Sequence, residues 1–205
     1  MEAASRSWPR RLHSISGVVP VGAFLAFHLS VNAAASEGAD AYNAAALRLQ
    51  QLPLSVVLEI VLILLPLAYH GIYGLYVAAT EPSSAGRPTT RGRVLAILQR
   101  VTGILLFAFI LFHLWTTRLI QIRDHESLDL FRLVQAALAS PWIRAFYVAG
   151  ILSATFHLSN GVWSFCETWG LAASRRAKTV VALLALALFV VLTALGLRSL
   201  AAFRL

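Results

Sequence analysis

An all-α integral membrane protein with five transmembrane helices is the fold class this sequence predicts, on three observations. Of its 205 residues 59% are hydrophobic, and the mean hydropathy is +0.74. Only 13% are charged, against roughly a quarter in a soluble domain. Five runs carry no Asp, Glu, Lys or Arg: Leu12 to Ser36, Ile60 to Thr80, Val101 to Thr117, Ala145 to Cys166 and Thr179 to Leu197. Each approaches the ~20 residues that, at ~1.5 Å per residue, cross a hydrocarbon core of about 30 Å.

The first span is expected over about 12–36. Basic residues, an apolar run and small residues in "RRLHSISGVVPVGAFLAFHLSVNAAASEGA" also suit a secretory signal. The run is long for one, and Pro20 and His28 interrupt it, so the helix is expected to be retained. The second span, about 54–80, starts at Pro53, where proline suits a first helical turn, and carries Glu59 near its start. "EPSSAGRPTTRGR" then reads as a flexible loop rich in proline, glycine and serine. A third span follows over about 94–119. In "DHESLDLFRLVQAALASP", Leu128, Phe131, Leu133, Val134 and Leu138 fall on one side, which predicts an interfacial helix over about 126–139. Pro141 opens the fourth span, about 142–166, and the fifth covers about 178–197. No separate soluble domain is expected; residues 1–205 form one transmembrane domain.

Charge sets the expected orientation. The net charge of +8 is almost wholly arginine, Lys178 being the one lysine. Arg6, Arg10 and Arg11 precede the first span. Arg87, Arg91 and Arg93 lie in the second loop, and Arg175, Arg176 and Lys178 in the fourth. The other side holds Arg48, Arg198 and Arg204, together with Arg118, Arg123 and Arg132 of the third loop. That bias predicts a cytoplasmic N-terminus and, with five spans, a C-terminus outside. In a membrane protein it reflects topology and lipid headgroups rather than nucleic acid. The single cysteine, Cys166, excludes disulfides, thiolate clusters and CxxCH haem attachment.

Four histidines lie inside spans: His28, His70, His113 and His157, one on each of the first four. One such residue could merely bond a neighbouring helix or face a water-filled cavity; four point to function. His70 lies 17 residues after Pro53, and His157 lies 16 after Pro141. Both spans enter from outside, so both histidines have descended about 25 Å. His28 lies 17 residues after Arg11 and His113 lies 13 after Arg100, on spans running the other way. The four sort into an inner pair, His70 with His157, and an outer pair, His28 with His113.

Zinc favours more protein ligands and carboxylate support, and no acid adjoins these histidines. Haem iron between two imidazoles fits better, because the porphyrin supplies the other four ligands and is apolar. The first four spans are therefore expected to bundle around two stacked b haems. Two axial histidines fill the iron's coordination sphere, which favours electron transfer over oxygen binding. Glycines accompany the histidines: Gly71 and Gly74 in "YHGIYGLY", Gly161 in "FHLSNGVW", and Gly17 and Gly103 in "SGVVPVGAFLAFH" and "TGILLFAFILFH". They suit clearance for a flat macrocycle, although close helix packing also uses glycine. Arg100 is a candidate haem-propionate partner, since guanidinium pairs bidentately with carboxylate. His13, beside Ser14 at the inner interface, is a candidate propionate or quinone contact, or a plain interfacial residue. Glu59 could pass protons to a quinone or simply snorkel. His125, in the polar third loop, reads as solvated.

"RRLHSISGVVPVGAFLAFHLSVN", "LPLAYHGIYGLY", "LQRVTGILLFAFILFHLWTTR" and "FYVAGILSATFHLSNGVWSF" resemble the cytochrome b558 membrane-anchor subunits of succinate dehydrogenase, in the five-helix form of Gram-positive bacteria. The resemblance implies flavoprotein and iron–sulfur subunits docked on the cytoplasmic face. It implies electron flow through the inner haem and then the outer one to a quinone, menaquinone in similar proteins. Fumarate-reducing relatives carry a glutamate just before the fourth ligand, implicated in proton transfer; Thr155 stands at that position here. Two other readings remain open on the residues alone. One is a cytochrome b subunit of a formate dehydrogenase or hydrogenase. The other is a haem-free transporter or assembly protein that uses its histidines for protons or metals.

Overall fold

The computed structural model describes residues 8–81, 89–120 and 129–203. Arg6, Arg87, Arg123, His125, Leu128, Arg204 and most of the second loop lie outside them. Among the described residues there are helices and no strands. We number the helices α1 (Trp8–Glu37), α2 (Ala39–Gln50), α3 (Ser55–Thr80), α4 (Thr90–Leu119), α5 (Leu130–Ala137), α6 (Pro141–Thr168) and α7 (Arg175–Ala202). Four of them, α1, α3, α4 and α7, are each long and apolar enough to cross a membrane. α6 reaches that standard only together with α5, from which it turns by 105°. Its 28 residues suffice in length, at about 42 Å. What lowers its hydropathy is a polar inventory that includes Ser153, Thr155, His157, Ser159 and Asn160. The chain is an all-α integral membrane protein.

Capping explains where several helices start. Thr89, Asp129 and Ser174 each accept a hydrogen bond from a backbone N–H three residues on, opening α4, α5 and α7. Two internal irregularities follow from proline, which removes a backbone donor and collides with the preceding turn. α1 widens into a π-turn at Gly17–Val21, around Pro20. α3 does the same at Glu59–Leu64, just ahead of Pro66. A third π-turn, Trp115–Leu119, holds no proline. It follows His113, whose carbonyl accepts the Thr117 hydroxyl at 2.6 Å, a bond that competes with the helix ladder.

The helices run antiparallel, and their ends differ. At the arginine-rich end Arg10 pairs with Glu81, the Tyr69 hydroxyl donates to the Pro9 carbonyl at 2.8 Å, and Arg11 lies over the Trp169 ring. At the opposite end the short helices and the end of α7 form a cap. Ala35, Leu138, Tyr147, Leu200 and Phe203 are its buried core, with Tyr42 of α2 and Phe131 and Val134 of α5 packed on it. Asn43 Nδ2 donates to Asp129 Oδ1 at 2.8 Å and Asn43 Oδ1 accepts from Phe131 N at 3.0 Å, so α2 and α5 are tied together. α2 is absent from the sequence-based expectations. "ADAYNAAALRLQ" has strong intrinsic helix formers, but its alanines leave it too weakly apolar to register as a span. Trp8 projects at one end of the bundle, and Trp115 and Trp142 at the other, exposed like interfacial anchors.

α6 and α7 meet through small residues. Gly150, Ser153, Thr155 and Ser159 are buried on α6, and Gly196 and Ser199 on α7. A Cβ on Gly196 would stand 2.7 Å from Ile151 Cγ2, so the helices approach more closely than alanine allows. Thr155 is fully buried, and its hydroxyl bonds that of Thr193 at 2.8 Å.

Candidate cofactor site between the spanning helices

The structure brings the histidines together in two pairs. His70 on α3 meets His157 on α6 with ring centroids 6.1 Å apart and planes at 88°. His28 on α1 meets His113 on α4 at 5.8 Å and 79°. His70 and His157 are the pair nearer the arginine-rich end, where His13 stacks flat on His70 at 4.2 Å.

Hydrogen bonding sorts the ring nitrogens. His70 Nδ1–H donates to the His13 carbonyl at 2.9 Å, and His157 Nδ1–H donates to the Gln99 carbonyl at 3.1 Å. A carbonyl can only accept, so each neutral ring keeps its proton on Nδ1 and its lone pair on Nε2. That is the arrangement in which second-shell bonds fix a metal-binding imidazole. His113 Nδ1 contacts the Tyr147 hydroxyl at 3.3 Å, and Phe109 stacks on its ring.

Three observations test whether these residues fit a haem. All four histidines are half-buried, and each lies within a helix that spans the bundle. Two imidazoles on one metal, with bonds of ~2 Å, hold their centroids roughly 6 Å apart once the ring radii are added. Both observed pairs have that spacing. No group of three His, Cys, Asp or Glu side chains among the described residues could hold a metal by itself. The donor set thus suits an ion that brings its own equatorial ligands.

The glycines have a more specific role than open clearance. A Cβ on Gly17 would lie 2.2 Å from His70 Cε1, and one on Gly103 would lie 3.0 Å from His157 Cε1. Each of these glycines admits an imidazole of the inner pair, delivered by a different helix. Gly74 likewise faces His13 Nε2 at 3.1 Å, and Gly71 faces Phe107 at 3.1 Å. A Cβ on Gly161 would meet only Gln99 Nε2, at an ordinary 3.6 Å.

The remaining candidates divide by position. Arg100 donates to the carbonyls of Ala78, at 3.4 Å, and Glu81, closing the end of α3. His13 Nε2 is buried without a partner, and Ser14 makes no side-chain hydrogen bond among the described residues. Glu59 lies at the far end in a bidentate pair with Arg118, whose Nε donates at 2.7 Å. Sequence reasoning overlooked Gln99, Asn160 and Tyr147. Gln99 Nε2 donates to the His157 carbonyl at 3.1 Å, and Asn160 Nδ2 donates to Gln99 Oε1 at 2.8 Å, clamping α4 to α6. The available signal was an amide toward the arginine-rich end of each of two apolar helices.

The succinate dehydrogenase/fumarate reductase transmembrane subunit family matches residues 83–195. Over 195 residues the chain is 43% identical to the succinate dehydrogenase cytochrome b558 subunit of Bacillus subtilis (strain 168), covering 95% of each chain. No solved structure matches it. With this likeness running over nearly its whole length, the chain belongs to the transmembrane subunits of succinate dehydrogenase and fumarate reductase.

Proposed function

We propose that this chain is the dihaem, quinone-reacting anchor of a succinate:quinone oxidoreductase. The observation that carries the reading is the convergence of four histidines, from four spanning helices, into two pairs with metal-ligand spacing. His70 and His157 hold one b haem near the arginine-rich end, and His28 and His113 hold the other. When bound, the haems supply one-electron carriers with no open coordination position, suited to passing electrons from an iron–sulfur subunit to a quinone.

The chain's own residues orient and insulate. The His13 and Gln99 carbonyls keep a proton on Nδ1 of His70 and His157, so that Nε2 faces the cofactor. Arg100, His13 and Ser14 lie at the level where propionates need cations and donors. Gly71, Gly74 and Gly161 keep α3 and α6 slim beside the inner pair, and Gly17 and Gly103 seat its rings. The arginine-rich end faces the cytoplasm and receives the flavoprotein and iron–sulfur subunits, which carry the dicarboxylate chemistry. The quinone, with menaquinone as the expected type, reacts near the outer pair, where the Glu59–Arg118 pair marks the polar boundary.

A pyridine haemochrome assay on the purified complex should find two haems b per chain, with a low-spin α-band in the reduced-minus-oxidised spectrum. His70→Ala or His157→Ala should remove one component, and His28→Ala or His113→Ala the other. A complex lacking the α-band, or a spectrum unchanged by His70→Ala, would overturn the assignment.

A further inference from the structure

We propose that a depression between α4, α6 and α7 at the arginine-rich end binds the phosphate headgroup of an anionic phospholipid. The depression has a volume of about 340 Å³, at the lower end of the roughly 300–1,000 Å³ of small-ligand sites. Arg91 from α4 and Arg175 and Lys178 from α7 line it. Arg91 and Arg175 stand in the first turns of their helices. Two positive helix ends therefore reinforce the three cations. Glu167 lies 3.9 Å from Lys178 Nζ, one acid set against three cations, so the cluster stays positive.

The rest of the lining selects a lipid over a soluble anion. Trp163 of α6 contributes an indole at the level of the helix ends, where aromatic rings sit among headgroups. Below the cations the wall is Ala182 and Leu183 of α7. From there the surface continues into the apolar flank of that helix, where Leu183, Leu184 and Leu186 are all exposed. A phosphate on the cations thus has hydrocarbon surface beneath it for its acyl chains. Basic recesses between spanning helices on the cytoplasmic side take anionic lipids for this reason. A carboxylate-bearing protein surface would use the charges but not the apolar flank.

Native mass spectrometry of the intact complex in mild detergent tests the site, with dioleoyl-phosphatidylglycerol, dioleoyl-phosphatidylcholine and inorganic phosphate as probes. One phosphatidylglycerol per chain should be retained above background. One cation near a membrane surface is worth about fivefold in affinity. R175Q should therefore weaken retention about fivefold, and R91Q/R175Q/K178Q together about a hundredfold. A182F keeps every charge, and so the charge bias that sets topology, but fills the apolar floor; it too should displace the lipid. Equal retention of phosphatidylcholine, or full competition by inorganic phosphate at equal concentration, would overturn the proposal. So would undiminished phosphatidylglycerol binding in both the triple variant and A182F. Release of the soluble subunits by the triple variant, with lipid retention intact, would assign the charges to protein docking instead.

Discussion

Gly17→Ala puts the reasoning about the inner pair under the most direct strain. The added methyl would lie 2.2 Å from His70 Cε1 and 2.6 Å from Nδ1. Bringing the first contact to an ordinary 3.4 Å requires a relative displacement of at least about 1.2 Å. The ring cannot yield freely, because His13 covers one of its faces at 4.2 Å and its Nδ1–H is held at 2.9 Å by the His13 carbonyl. Overpacking of this kind costs about 1–3 kcal/mol, and loss of the Nδ1 bond adds about 1 kcal/mol. A shift of an ångström would carry with it His70 Nε2, the nitrogen proposed above to hold the inner haem. The expected outcome is one haem per chain instead of two, with the component assigned to His28 and His113 retained. Gly103→Ala, with its closest approach at 3.0 Å, should cause a milder loss, and Gly161→Ala, at 3.6 Å, almost none. Haemochrome stoichiometry and melting temperature of the purified complex rank the three. A Gly17→Ala protein with both haems and native stability would refute the reasoning, as would Gly161→Ala proving the most damaging.

The other predictions test separate parts of the molecule. Thr155→Val strands the Thr193 hydroxyl inside the α6–α7 contact and should lower stability by about 1–2 kcal/mol. Thr155→Val with Thr193→Val should cost less than the two single changes combined, in thermal unfolding of the detergent-solubilised protein. Tyr147→Phe removes the hydroxyl beside His113 Nδ1; electron paramagnetic resonance should show a shifted low-spin signal for the outer site and an unshifted one for the inner. The Asn43 amide, and after it the Arg132 N–H, hold the Asp129 carboxyl below its ordinary value of 3.8. A depressed carboxyl contributes stability above its unfolded value, and that stability is lost as pH falls through the folded one. The protection of α5 amides, the ratio of intrinsic to observed exchange rate, should therefore fall as pH drops below the ordinary carboxyl range. In Asp129→Asn it should start lower and show no such step.

How far the site was legible depended on what kind of information each part needed. Depth along a helix is a one-dimensional quantity, so counting from Pro53, Pro141, Arg11 and Arg100 was enough to pair His70 with His157 and His28 with His113. The structure brings the same partners together. The use of a missing side chain is three-dimensional. Gly17 is on the helix of His28 yet makes room for the ring of His70, and nothing along α1 could reveal that. The cap was hidden for a related reason. Ala39–Gln50 is helical by propensity and earns its place through Tyr42 and Asn43, which meet α5 and the end of α7 only after the chain has folded.

One detail of the sequence acquires a cause only from the structure. α1 and α4 repeat a Ser/Thr-Gly-to-histidine pattern, and both glycines seat a ring of the inner pair while both histidines enter the outer one. Yet Gly17 precedes His28 by 11 residues, whereas Gly103 precedes His113 by 10. In two unbroken α-helices that extra residue would turn His28 about 100° away from the position its counterpart occupies. α4 is regular α-helix from Gly103 to His113. α1 carries its π-turn, Gly17–Val21, inside the corresponding interval. A π-turn takes up one additional residue without advancing the face of the helix, so it absorbs the mismatch and returns His28 to the bundle interior. Pro20 is the residue that stabilises this widening, because an α-helical turn there would have to accommodate its ring against the preceding carbonyl. The proline that argued against a secretory signal is thus what keeps the two halves of the bundle in register.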